Sequence, residues 1–278
     1  MTTTLELPYF DALLQEINQG NPEILAAFGR HVHWGYWENP GTADGSTADF
    51  AQAAENLCQR VCDAGTLANG QRILDAGCGF GGTLSSLNER FSQLHCTGLN
   101  IDERQLQRAR QVVHPQNGNT LEFIQGDACQ LPFADHTFDR VLAVECIFHF
   151  PSRHRFFQEA YRVLKPGGKL AICDFVPLPI FLPLLKLITL FPQPSMASTY
   201  GTVDSGFTAS DYHRLAADTG FKIVSEEDIT VNTLPTYPVV RRMMQQMGGQ
   251  ESEQVTAGIQ LISQLGLLRY LIFAFSKD

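Results

Sequence analysis

The sequence predicts an α/β fold with a mainly parallel sheet, an antiparallel last strand and a helical lid. Three observations carry that expectation. Strand-like and helix-like segments alternate from about residue 46 onward. The first strand-like run breaks into the glycine turn "GCGFGG" (77–82), as a strand feeding a ligand-binding helix does. The final apolar strand "LRYLIFAFS" (268–276) is separated from the strand before it by a long helical stretch, which allows it to enter the sheet antiparallel.

The elements follow in order. "STADFAQAAENLCQRVCDAG" (46–65) reads as a helix, with Ser46 and Asp49 at capping-box spacing, an apolar stripe of Phe50, Ala54, Leu57 and Val61, and Gly65 as its stop. "QRILDAGCGFGG" gives the first strand and "TLSSLNERF" the helix after the turn. "LHCTGLNI", "LEFIQGDA", "FDRVLAVE" and "KLAICDF" supply four more strands. "DERQLQRARQVV", capped by Asp102, and "SRHRFFQEAYRVLK" are crossover helices. "TASDYHRLAADTG" is a helix stopped by Gly220, and "FKIVSEEDIT" a sixth strand. A helical stretch over about 238–265, broken at Gly248 and Gly249, leads to the seventh strand.

Composition excludes several function classes. A formal charge of −9 and a pI near 5.3 leave little basic surface for nucleic acid or an anionic bilayer. The seven cysteines have no metal-ligand rhythm, which predicts core thiols in a reducing compartment and no metal site. The N-terminus lacks a basic segment followed by an apolar run. The apolar stretch "VPLPIFLPLLKLITLF" (176–191) carries three prolines and a lysine and is too short to span a bilayer. A cytoplasmic enzyme with no membrane partner is therefore expected, and the oligomeric state, a homodimer being one option, is open.

The chemistry centres on the strand ends. Glycines 77, 79, 81 and 82 let backbone approach a ligand closely. Asp75 just before them would repel a pyrophosphate but suits an ammonium group, and Asp127 follows the third strand in "GDACQLPF". A nucleoside carrying an amino acid fits both. His149 follows the fourth strand in "AVECIFHF" and Asp174 ends the fifth. An imidazole near neutrality suits a general base, with a carboxylate to fix its tautomer; packing beside Phe148 and Phe150 is the other reading.

Through "LDAGCGFGG", "GLNIDERQ", "GDACQLPF", "FDRVLAVE" and "LKPGGKL", residues 46–175 resemble the class I methyltransferases that use S-adenosylmethionine and release S-adenosylhomocysteine. The resemblance implies their Rossmann-like seven-stranded fold. It implies that Asp75, Gly77, Cys78 and Gly79 meet the methionine end of the cofactor, and that Asp127, Ala128 and Cys129 flank adenine. Asn100, in place of the usual acid, would meet the ribose with Ile101 and Gln105 beside it, and Glu145 would border the cofactor. His149 would be the base and Asp174 its orienter or an acceptor contact.

Including "HVHWGYWEN", the whole chain resembles the O-methyltransferases of mycosporine-like amino acid biosynthesis. That implies a small cyclohexenone acceptor, demethyl-4-deoxygadusol, methylated on an enolic oxygen. In similar enzymes the N-terminal segment, here 1–45, folds over the site, and insertions at about 176–207 and 233–266 complete the lid of the domain at 46–278. Tyr36 and Trp37 would then cover the sulfonium, and His33, Phe148, Tyr200 and Tyr237 would face the acceptor. Core packing is the stronger reading for Tyr200, Tyr237, Met243 and Met244. The alternatives are N-methylation of a small amine such as sarcosine or dimethylglycine, whose relatives share "HWGYW", and a cofactor-binding protein without activity.

Overall fold

The computed structural model describes residues 7–189 and 194–278. The first six residues and the end of the apolar stretch, 190–193, lie outside the described residues. Two helices open the chain, α1 (Pro8–Asn18) and α2 (Pro22–Phe28), followed by α3 (Thr47–Ala64). The α/β unit runs β1 (Arg72–Ala76), α4 (Gly82–Arg90), β2 (His95–Asn100), α5 (Glu103–Val112), β3 (Thr120–Gln125), β4 (Phe138–Val144), α6 (Arg153–Val163) and β5 (Leu164–Pro177). Beyond it come α7 (Leu182–Thr189), α8 (Pro194–Tyr200), α9 (Ala209–Thr219), β6 (Lys222–Asp228), α10 (Thr230–Thr233), α11 (Thr236–Gln264) and β7 (Leu268–Ser276).

The sheet order is β3-β2-β1-β4-β5-β7-β6, with β7 antiparallel to both neighbours. Strand order reverses between β1 and β4, so the C-terminal ends of these two strands flank a crevice where open α/β sheets bind ligands. The apolar run through Ile172 and Cys173 in β5 and the near-continuous buried run of β7 put the middle of the central strands in the core, with helices on both faces.

Caps explain where the helices start. Ser46 accepts from Asp49 N–H and Asp102 from Arg104 N–H. Asp49 does not return the bond to Ser46; its carboxylate instead takes the Trp37 indole N–H at 2.9 Å. Thr208 and Asp211 form the full reciprocal box of α9, and Gly220 stops it in the left-handed conformation at φ 87°. The break expected in the last helical stretch is a kink at Gly249.

α1 and α2 were not anticipated from sequence. Pro8 and Pro22 start them, and Phe10, Leu13 and Ile17 give α1 one apolar stripe. That stripe joins a core with Phe28, Phe50, Phe80 and Met243, and α1 packs on α2, α8 and α11. No helix among the described residues is long and apolar enough to cross a membrane.

Candidate active site

A cavity of about 810 Å³ opens at the C-terminal ends of β1, β2 and β4. β1 delivers Asp75, 1% exposed, whose Oδ2 has no hydrogen-bond partner. The chain then turns through Gly77 at φ 83°, where a Cβ would stand 2.7 Å from Cys146 Sγ, so any side chain there fails on both backbone and space. Gly82 starts α4 directly under the Arg30 carbonyl, 2.4 Å from where a Cβ would sit. Gly77, Cys78 and Gly79 line the cavity floor.

Asn100 and Ile101, at the end of β2, line the next stretch of wall together with Gln105. Asn100 Nδ2 donates to Gln105 Oε1 at 2.9 Å, which fixes the amide and turns the Asn100 carbonyl into an available acceptor. Asp127 and Ala128 follow, with Asp127 Oδ1 accepting the Cys129 N–H. Cys129 itself is not on this wall; its thiol donates to the Ser152 carbonyl on the outer side, so the expected adenine contact of Cys129 is corrected.

His149 sits on a short 3-10 turn after β4 and is 8% exposed at the cavity edge. Its Nδ1 is 3.2 Å from the Thr202 carbonyl and its Nε2 3.1 Å from the Tyr9 hydroxyl. A carbonyl only accepts, so Nδ1 carries the proton and the Nε2 lone pair takes the Tyr9 O–H. Burial holds the imidazole down to about 4, so the base form persists at neutral pH.

Asp174 does not orient His149. It is fully buried, and its Oδ2 takes Arg153 and the Tyr212 hydroxyl. Arg153 also binds Asp204, in the segment that carries Thr202. A charge without a partner is costly in such surroundings, which is why a β5 carboxylate pairs with the α6 guanidinium rather than opening to the cavity. The tautomer of His149 is set by a backbone carbonyl, a donor–acceptor arrangement no side-chain pattern announces.

The opening aromatic stretch is placed differently from expectation. Trp37 is 5% exposed in the core against α3, and Tyr36 lies under the Arg60 guanidinium; neither lines the cavity. Their indole and phenol surfaces fill the gap between the N-terminal segment and α3. His33 does reach the wall, but both its nitrogens are engaged, with the Trp34 carbonyl at 2.8 Å and His31 at 3.1 Å. His31 in turn pairs with Glu55 at 2.9 Å. His33 is thus on the cavity wall, as expected of a residue facing the acceptor, with both ring nitrogens already engaged.

Phe148 lines the cavity; Tyr200 and Tyr237 do not, as their hydroxyls are tied to Thr256 and Ser263 on α11. Residues that sequence reasoning passed over complete the wall: Tyr9 and Phe10 from α1, Arg30, Phe80, and Thr202 and Asp204. The Pro8 helix start and the Phe10, Leu13 and Ile17 stripe are the sequence signals for the first two.

Glu145 adopts φ 51°, a left-handed conformation unusual for a non-glycine and typical of site residues. Its Oε2 accepts the Trp34 N–H and the Tyr270 hydroxyl. Burial raises its carboxyl to about 8 and that of Asp75 to about 7. Both folded values lie above the unfolded ones, so their contribution is present at low pH and is lost as pH rises towards 8. His33, held down to about 3 by burial, and His149 act oppositely, losing theirs as pH falls below 6.5. Between about pH 6.5 and about pH 8 only the carboxylate effect remains, so the melting temperature of the ligand-free protein is expected to fall across that window. A calorimetric melting series with a flat or rising profile there would count against buried, unpaired carboxylates.

Residues 74–172 match the family model described as a methyltransferase domain. The chain is 32% identical to "Methyltransferase GfsG" of Streptomyces halstedii over 83% of its length and 81% of the relative's. It is 29% identical to "27-O-demethylrifamycin SV methyltransferase" of Amycolatopsis mediterranei over 90% and 86%. Among solved structures, the [4+2]-cyclase SpnF superposes with a TM-score of 0.73 at 21% identity, covering 100% of this chain and 99% of that one. A geranyl diphosphate methyltransferase in complex with geranyl diphosphate and sinefungin does so with 0.74 at 19%, covering 98% and 100%. These two show a shared fold. With the glycine turn, the crevice at the β1/β4 reversal and the matching family model and relatives, the chain belongs to the class I S-adenosylmethionine-dependent methyltransferases.

Proposed function

We propose that the protein transfers the methyl group of S-adenosylmethionine to an enolic hydroxyl of a small cyclohexenone, converting demethyl-4-deoxygadusol to 4-deoxygadusol in mycosporine-like amino acid biosynthesis. The observation that carries the oxygen assignment is the His149 Nε2 lone pair, which already accepts a hydrogen bond from the Tyr9 hydroxyl at the cavity edge. An acceptor hydroxyl that displaces the phenol meets the same lone pair. The name of the rifamycin relative, also an O-methyl transfer, points the same way.

The size of the acceptor follows from the cavity. Small-molecule sites span ~300–1,000 Å³, and here about 810 Å³ must hold cofactor and acceptor together. Asp75 and the glycine turn hold the methionine end, Asn100 and Gln105 the ribose, and Asp127 and Ala128 the adenine. The cofactor supplies the electrophilic methyl; the protein aligns the acceptor oxygen behind it and excludes water. Phe148 and Phe10 provide the apolar wall, with α1 and the described parts of the insertions at 176–207 and 233–266 as the lid.

N-methylation of an amine asks instead for aromatic faces around a developing quaternary ammonium. The two tryptophans of "HWGYW" face other packing: Trp37 the α3 core, Trp34 Phe175 and Tyr237. A screen of cyclitol enols against sarcosine and dimethylglycine separates the readings. Turnover is expected with the enols; turnover confined to amines would overturn the assignment.

A further inference from the structure

Two buried carboxylates face one cavity with no cation of their own among the described residues. Asp75 leaves Oδ2 unbonded, and Glu145 receives both of its hydrogen bonds on Oε2, leaving Oε1 without a partner among the described residues. Arg30, the one Lys or Arg on the cavity wall among the described residues, is committed to Glu55 and Glu89, Arg153 is committed to Asp174 and Asp204, and Arg108 stacks on Phe80 and donates to the Gly29 carbonyl. The groups that act on Glu145 are Tyr9 from α1, Tyr200 from α8, Tyr237 from α11, Cys173 and Asp174 from β5 and Tyr270 from β7, with Cys146 its chain neighbour. Tyrosines, thiols and an acid cannot compensate a second buried carboxylate.

The cofactor brings two cationic centres, an ammonium and a sulfonium, whereas the product S-adenosylhomocysteine brings only the ammonium. Each molecule's ammonium is balanced by its own carboxylate, so the sulfonium is the one net positive charge that separates cofactor from product, and the second unpaired carboxylate at these adjacent strand ends finds a counter-ion only in the cofactor. Asp75, beside the glycine turn and Thr83, takes the ammonium; Glu145, across the turn at the end of β4, is left for the sulfur.

We propose that Glu145 is the counter-charge of the sulfonium, ionising when S-adenosylmethionine binds and taking a proton back after transfer, so that the site favours cofactor over product. This rests on the methyltransferase assignment. In the step itself an acceptor oxygen lone pair forms the new O–CH₃ bond while the S–CH₃ bond breaks, its electrons staying on sulfur. The acceptor's O–H bond is also broken, its proton passing to His149 Nε2 and, because that imidazole is held down to about 4, on to solvent, while Glu145 takes up one proton in exchange. Charge within the closed site is thereby unchanged across turnover: sulfonium with carboxylate before, thioether with carboxylic acid after.

Titration calorimetry of both nucleosides with the whole protein tests this without any acceptor. In buffers of different ionisation enthalpy, cofactor binding should release more protons than product binding below the pH of about 8 where Glu145 ionises. The cofactor's affinity should accordingly climb more steeply with pH than the product's, by up to about tenfold per pH unit. Asp75 contributes equally to both and cancels in the comparison. Glu145→Gln should cost the cofactor ~10–100-fold at pH 8 and the product less than ~3-fold. Equal proton release and parallel pH slopes in the wild-type protein would overturn the proposal, and the wild-type comparison decides it even if the variant does not fold. Failure of folded wild-type protein to bind either nucleoside would instead overturn the cofactor assignment, and the proposal with it.

Discussion

His149→Ala is expected to lower kcat by about 10²-fold while leaving cofactor affinity within ~3-fold, a loss at the lower end of the ~10²–10⁴ that general bases contribute. Two features set that size. An enolic hydroxyl conjugated to a ketone is already acidic, so the base has a modest proton to move. The imidazole is also a weak base, held down to about 4 by burial next to Phe148 and the Arg153 charge. Because it stays neutral above that value, its own protonation imposes no pH limb on kcat between about pH 5.5 and about pH 8. Single-turnover kinetics of wild type and variant with saturating cofactor measure the effect. Unchanged kcat in the variant would leave His149 as packing and assign the reaction to positioning alone.

Arg153→Met is expected to cost about 3–5 kcal/mol of folding stability, the typical loss when one partner of a buried ion pair is removed. Asp174 would remain fully buried with only the Tyr212 hydroxyl and its neighbour's backbone N–H for company. Part of the loss is recovered if Asp174 is made neutral as well, so Arg153→Met combined with Asp174→Asn should be more stable than Arg153→Met alone. Urea unfolding of the three proteins checks this; a single variant within about 1 kcal/mol of wild type would show that the pair is not desolvated. Release of Asp204 should also loosen the segment holding Thr202, so the same variants should lose kcat through a disordered His149.

The parallel core was legible because its signals are local. Asp102 and Ser46 announce helix starts, Gly220 a stop, and the strands are short apolar runs between such punctuation. The cavity wall was legible for the same reason: Asp75, Gly77, Asn100, Gln105 and Asp127, all on it, lie within a few residues of strand ends. What distance in sequence hides is which groups meet. Tyr9 and His149 are 140 residues apart, and the partner of Asp174 is fixed by where α6 begins rather than by any motif around β5. The resemblance places Trp37 and Tyr36 over the sulfonium, yet Asp49 and Arg60 on α3 draw both rings away from the cavity. A carboxylate at capping-box spacing thus served an indole instead of its own helix.

The most direct measurement follows an isotopically labelled methyl group from S-adenosylmethionine into product by nuclear magnetic resonance, with demethyl-4-deoxygadusol as acceptor. The account predicts a single labelled methyl ether on the enolic oxygen, formed in proportion to S-adenosylhomocysteine. A label on carbon or nitrogen, or cyclisation chemistry with the cofactor's methyl left in place, would contradict it.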